Sequence, residues 1–82
     1  MRIDKFLNSV NITKRRSVAQ DMISSGVVLI NNVIVKSSKK VDVDDIITIN
    51  YLNSSKQYKV LLIPTTKSTP KSLQDQYIKE LV

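Results

Sequence analysis

The chain contains no cysteine and no histidine. Without thiols there is no disulfide, no thiolate nucleophile and no cysteine cage for zinc, and without imidazole the commonest general base is missing too. Its 82 residues, 41% of them hydrophobic, suffice for one modest core but not for a deep catalytic cavity. No apolar stretch approaches the ~20 residues that span a bilayer, and the amino terminus lacks the basic-then-apolar layout of a secretory signal. A cytoplasmic protein without membrane association is expected. Among the carboxylates, Asp42, Asp44 and Asp45 are close enough in sequence to suggest a hard-metal site. They lack the loop glycine and distal glutamate of such a site, so an acidic turn is the better reading. No catalytic residue, metal, cofactor or small-molecule substrate is therefore expected; the chain reads as a binding module.

What is abundant is positive charge: 13 basic residues against seven acidic ones, a net charge of +6. That balance favours a polyanionic partner. Lys14, Arg15 and Arg16 follow Thr13, which is suited to cap a helix running to about Ser25. Cations in a first turn face the positive end of the macrodipole and lose roughly 0.3–1 kcal/mol each relative to acidic residues. An anion docked there reverses the sign, because free amides, dipole and cationic side chains then converge on it. The competing reading is a solvated charge run.

Hydrophobic spacing places a short first helix over RIDKFL, with Ile3, Phe6 and Leu7 on one face. Asn8 to Ile12 connects it to the second helix, whose apolar stripe is Val18, Ala19, Met22 and Ile23. Gly26, the only glycine, suits the left-handed residue that closes a helix. From Val27 the chain turns β-branched: VVLI, Asn31-Asn32, then VIV predict a hairpin. Lys36 to Lys40 is a basic connector, Ile46 to Tyr51 a third strand, and Gln57 to Ile63 a fourth that ends before Pro64. TTKSTPKS is too polar for the core and reads as a linker, and Ser72 to Val82 carries Leu73, Tyr77, Ile78 and Leu81 at helical spacing. The expected organisation is a domain over residues 1–63 and a polar linker with a helical extension over 64–82. Its fold class is α+β, two amino-terminal helices on a small, mostly antiparallel sheet.

RIDKFL, KRRSVAQDMI, GVVLINNVIV and VDVDDIITI together resemble the S-four RNA-binding domain, named for the fourth protein of the small ribosomal subunit. The resemblance implies that the helical pair presents a basic edge to folded RNA. Two turn positions depart from that pattern: Asn31-Asn32 stands where Asn-Gly is common, and Asp44-Asp45 where Gly-Asp is common. MRIDKFL, TKRRSVA and the short length are most similar to the stand-alone members of the family that act in ribosome quality control. That similarity implies binding to the large ribosomal subunit, with contacts to its rRNA and a peptidyl-tRNA during tailing of stalled nascent chains; a monomer is expected. Open alternatives are a general ribosome-associated or structured-RNA-binding factor, and a small protein-interaction adaptor using a strand edge or the terminal helix with Tyr77 and Leu81.

The RNA-binding candidates are Arg2, Lys5, Lys14, Arg15 and Arg16. Arg16 ranks first as a bidentate phosphate fork, and its replacement by alanine is expected to release the partner with little change in thermal unfolding. Arg15 shares a stripe with Val18, Ala19 and Met22 and has a structural alternative as a snorkelling side chain. Arg2 has one as an ion pair with Asp4 or Asp21. Lys5 and Lys14 read as accessory point charges, and Lys36, Lys39 and Lys40 first as a solvated loop. The aromatic residues are Phe6, Tyr51, Tyr58 and Tyr77, with Phe6 in the core, so RNA shape and backbone rather than base stacking should carry recognition.

Overall fold

The structure is a computed structural model that describes residues 1–65 and 69–81. Helix α1 covers Ile3–Ser9 and α2 covers Arg16–Ser24. The strands are β1, Val28–Ile30; β2, Val33–Ile34; β3, Ile46–Asn50; β4, Ser55–Val60; and β5, Ile78–Leu81. A 3-10 turn over Lys71–Leu73 and a one-turn helix α3 over Gln74–Tyr77 precede β5. The sheet is antiparallel throughout, in the order β2-β1-β3-β4-β5. This is the α+β arrangement expected from the sequence, with one more strand.

The core follows from periodicity. Ile3, Phe6, Leu7 and Val10 recur at helical spacing along α1, and all four are buried. Ala19 and Ile23, one turn apart on α2, join them, whereas Val18, expected on the same stripe, is 43% exposed. The sheet supplies Val28 opposite Ile49 and Ile30 opposite Ile47, every second residue of β1 and β3. Val60 and Ile78, paired between β4 and β5, complete the layer.

The tight turns are built from residues that tolerate positive φ. Asn31 and Asn32 stand at φ 51° and 68°, the requirement of a two-residue type I′ hairpin turn. Asn31 also extends the β1–β3 ladder with its side chain: Ile46 N–H donates to its Oδ1 at 3.0 Å, and its Nδ2 donates to Asp45 at 3.1 Å. Asp44, where the resembled pattern has glycine, lies at φ 74°. Both departures from that pattern keep the backbone shape it requires, because Asn and Asp pay less for the left-handed region than other side chains. The acidic cluster is a turn, closed by Asp45 Oδ2 accepting Asp42 N–H at 2.8 Å. Gly26, at φ 76°, ends α2 in a Schellman motif: its N–H bonds Ile23 C=O at 3.0 Å and Val27 N–H bonds Met22 C=O at 3.3 Å.

Two expectations need correction. The second helix begins at Arg16, not at Thr13. Thr13 is held by α1 instead: its N–H bonds Leu7 C=O at 3.1 Å, its carbonyl accepts Asn8 Nδ2 at 3.3 Å, and its Oγ1 donates to Arg15 C=O at 3.1 Å. The Thr13 hydroxyl is thus engaged with the Arg15 carbonyl and accepts no helix amide, and Arg15, extended at φ −136°, is the residue before the helix. The terminal helix over Ser72 to Val82 is also corrected. It stops at Tyr77 and the chain continues as β5, because β4 offers an open edge and Ile78 reaches the core only from a paired strand.

The expected linker likewise contributes structure where it is described. Thr69 is buried; its N–H and Oγ1 both donate to Ser9 C=O, and its carbonyl accepts Asn11 Nδ2 at 2.7 Å. Residues 66–68 of that linker, and Val82 of the expected helix, lie outside the described residues. Removal of residues 72–82 therefore strips β4 of its partner and is not a clean test of where a ligand binds.

A methyl group on Gly26 meets no neighbour within 4 Å, so only its φ opposes substitution. Gly26→Ala should lower stability by about 1 kcal/mol, whereas Asn32→Gly should raise it by about 0.5 kcal/mol, both read from thermal unfolding. Equal and unchanged midpoints would contradict this account of the turns.

Candidate nucleic-acid interface

The basic corner is organised around an acid. Asp4 lies in the first turn of α1, where a carboxylate complements the helix dipole, and its side chain has no exposed surface. Five donors converge on it. Oδ1 accepts Lys5 N–H at 2.8 Å and an Arg16 terminal nitrogen at 3.4 Å. Oδ2 accepts Arg2 at 3.2 Å, Arg16 Nε at 3.2 Å and Gln20 Nε2 at 3.0 Å. Burial alone would push this carboxyl upward, but the Gln20, Arg16 and Lys5 hydrogen bonds and the Arg16 charge outweigh it and hold it below the ordinary value of 3.8.

Arg2 and Arg16 are thus fixed by one anion, from segments far apart in sequence. Their side chains remain 48% and 45% exposed. Arg16 uses two nitrogens on Asp4; Arg2 uses one there and its Nε on Ser37 C=O at 3.4 Å. A guanidinium carries five N–H donors, so each retains donors that face solvent. Lys14 and Arg15 stand in the exposed segment before α2, with no side-chain hydrogen bond or ion pair among the described residues. Lys5 is half-buried beside Asp4.

The fold therefore gathers all five sequence candidates at one end of the helical pair, in differing states. Arg15 is not the snorkelling residue: it precedes the helix and is exposed. Arg16 has a structural role, as does Arg2, whose expected ion pair with Asp4 is present, so the expectation that Arg16→Ala would spare stability is revised. The dipole argument changes as well, since the anion it called for at the α2 start is partly internal. Sequence reasoning missed Gln20 and the central position of Asp4; the available signal was one acidic residue in an otherwise basic opening. Phe6 is fully buried, as expected, and Tyr77 and Leu81, suggested as adaptor contacts, are half-buried. No helix among the described residues is long and apolar enough to cross a membrane.

The helical pair, the hairpin and the acidic turn coincide with a match of residues 1–47 to the S4 domain family model, and the chain belongs to that family. Among individual relatives, a Helicobacter pylori (strain J99) protein named RQC P-site tRNA stabilizing factor is 45% identical over 78 residues, covering 95% of this chain and 93% of that protein. A Streptococcus pneumoniae (strain R6) protein of the same name is 38% identical over 61 residues, 74% of this chain and 69% of its own. In structure, the trimeric Vibrio cholerae heat shock protein 15 superposes with a TM-score of 0.89 at 27% identity, covering 99% of this chain and 81% of that one. The solution structure of the hypothetical protein HP1423 gives 0.87 at 41% identity over 100% and 98%.

Because the folded Asp4 carboxyl titrates below its unfolded counterpart, the stability it contributes is complete above the unfolded value and fades as pH falls through the folded one. Thermal midpoints should be flat from pH 7 to about 5 and decline below about 4, and Asp4→Asn should start lower and show a smaller acid decline. Arg16→Ala should cost about 1–3 kcal/mol, since it withdraws two hydrogen bonds from a buried charge, whereas Arg15→Ala should leave the midpoint nearly unchanged.

Proposed function

We propose that the chain binds folded RNA on the large ribosomal subunit, contacting rRNA and a tRNA, and acts in ribosome-associated quality control of stalled nascent chains. It does so as a cytoplasmic monomer and without catalysis. The observation that carries this reading is the guanidinium pair preset on Asp4, beside the unpaired Lys14 and Arg15, in a chain whose relatives are named for stabilising a P-site tRNA.

The arrangement suits a phosphate backbone for a physical reason. Ordering two arginines at the moment of binding would forfeit about 0.5–1.5 kcal/mol of rotamer freedom for each, and Asp4 has ordered them during folding. Their remaining donors grip phosphate oxygens at fixed positions, while Lys14 and Lys5 add point charges and Arg15 a further fork. Contacts of this kind fix orientation and register without reading sequence, so RNA shape decides where the protein sits. For a factor that holds a tRNA in one place, shape reading combines tight placement with indifference to which tRNA is present.

In-cell crosslinking followed by RNA mapping should recover large-subunit rRNA together with tRNA; scattered transcripts would favour a general RNA-binding factor. Affinity for large subunits carrying peptidyl-tRNA should fall with salt at a log–log slope of roughly −2 to −4, as expected for three to five neutralised phosphates. Salt-independent association would contradict the proposal.

A further inference from the structure

Arg2 is paired with Lys40 in an isolated antiparallel bridge that joins the first residues of the chain to the loop after β2. Backbone hydrogen bonds on either side hold it: Ile3 N–H to Lys39 C=O at 2.7 Å and Val41 N–H to Met1 C=O at 2.9 Å. The Arg2 Nε bond to Ser37 C=O adds a third tie to the same loop. Directly opposed residues in an antiparallel pair project from the same face, with Cβ atoms about 4.5–5.5 Å apart, and like charges there are destabilising. Arg2 and Lys40 are both exposed cations. Arg2 has Asp4 as counter-ion, whereas Lys40 has no carboxylate partner among the described residues. Lys39, its neighbour, has no ion pair among the described residues either, but it alternates to the opposite side of the bridge, away from Arg2, where it lines a hollow whose walls include Asp42 and Asp45.

Folding alone gains nothing from a lysine set opposite Arg2. Resting on the RNA-binding reading above, we propose that Lys40 and Arg2 form a two-pronged clamp on one phosphate of the bound RNA. The loop after β2 is then a second contact segment, separate in sequence from the helical corner. The Arg2 fork supplies directional hydrogen bonds and the Lys40 ammonium a compact charge from the other side, so an anion between them turns repulsion into attraction. Because the loop is tied to the start of α1, the clamp is fixed relative to Asp4 and Arg16, and the RNA backbone is held along a line rather than at one point.

The test compares Lys40→Gln with Lys39→Gln in the full chain, with a Lys14→Gln/Arg15→Gln double variant as reference for the helical corner. Binding to purified large subunits carrying peptidyl-tRNA is followed against salt, alongside thermal unfolding. Lys40→Gln should flatten the log–log salt slope by about 1 and weaken binding several-fold at low salt. Lys39→Gln should do clearly less. The Lys40→Gln midpoint should match or slightly exceed that of the unaltered chain, because an opposed like-charge pair has been relieved. An unaltered slope, an equal loss in Lys39→Gln, or a lowered midpoint overturns the clamp. If the double variant still weakens binding in that case, the RNA-binding reading survives; if the unaltered chain shows no salt-dependent binding, both fall.

Discussion

A carboxylate with no exposed surface lies between two helices and accepts hydrogen bonds from two arginines, a glutamine and a backbone amide. Desolvating Asp4 is unfavourable in isolation, and the five donors convert it into a fixed point on which the amino-terminal half is assembled. It ties α1 to α2 through Arg16 and Gln20. Through Arg2, which also bonds Ser37 C=O, it ties α1 to the loop after β2. The apolar contacts of Ile3, Phe6, Leu7, Ala19 and Ile23 supply the attraction between these elements, but they are nondirectional. The carboxylate selects one relative placement.

One buried negative charge thus makes a positive surface possible. Arginines at the start of a helix repel one another and the dipole, and left to solvent they would sample many rotamers. Asp4 neutralises part of that repulsion and restrains both side chains, yet each remains close to half exposed. The corner is therefore ordered without being fully compensated, and its residual charge is available to a polyanion. Arg2 and Arg16 spend some of their donors on the fold and keep others exposed, whereas Lys14, Arg15 and Lys40 have no carboxylate partner among the described residues.

The carboxyl-terminal residues act on this corner from behind. Thr69 bonds Ser9 and Asn11, Gln74 bonds the Val10 carbonyl at 2.8 Å, and β5 closes the exposed edge of β4. The residues just after α1 pair its Phe6, Leu7 and Asn8 carbonyls, and the returning chain satisfies those of Ser9 and Val10. The polar linker contributes through the hydrogen bonds of Thr69, while β5 adds Ile78 to the core and covers a strand edge that would otherwise invite pairing with other chains.

Local chemistry is legible wherever neighbouring residues alone decide the outcome. The α1 face, the Gly26 helix stop, the Asn31-Asn32 turn and the alternation along β3 follow from spacing and from which side chains tolerate positive φ. The cluster of Arg2, Lys5, Lys14, Arg15 and Arg16 was likewise visible as charge. Three features were not: the start of α2, the fate of the last eleven residues, and the distinct states of the five cations. Each depends on a partner distant in sequence. Thr13 answers to Leu7 and Asn8, Ile78 to Val60, and Arg16 to Asp4, and a hydrogen bond or strand pairing with such a partner outweighs the tenths of a kcal/mol by which local propensity prefers another conformation. By itself, then, the sequence determined the elements and the sign of the surface. Which cations are spent on the fold and which are left unpaired was decided only when tertiary packing buried the single carboxylate among them.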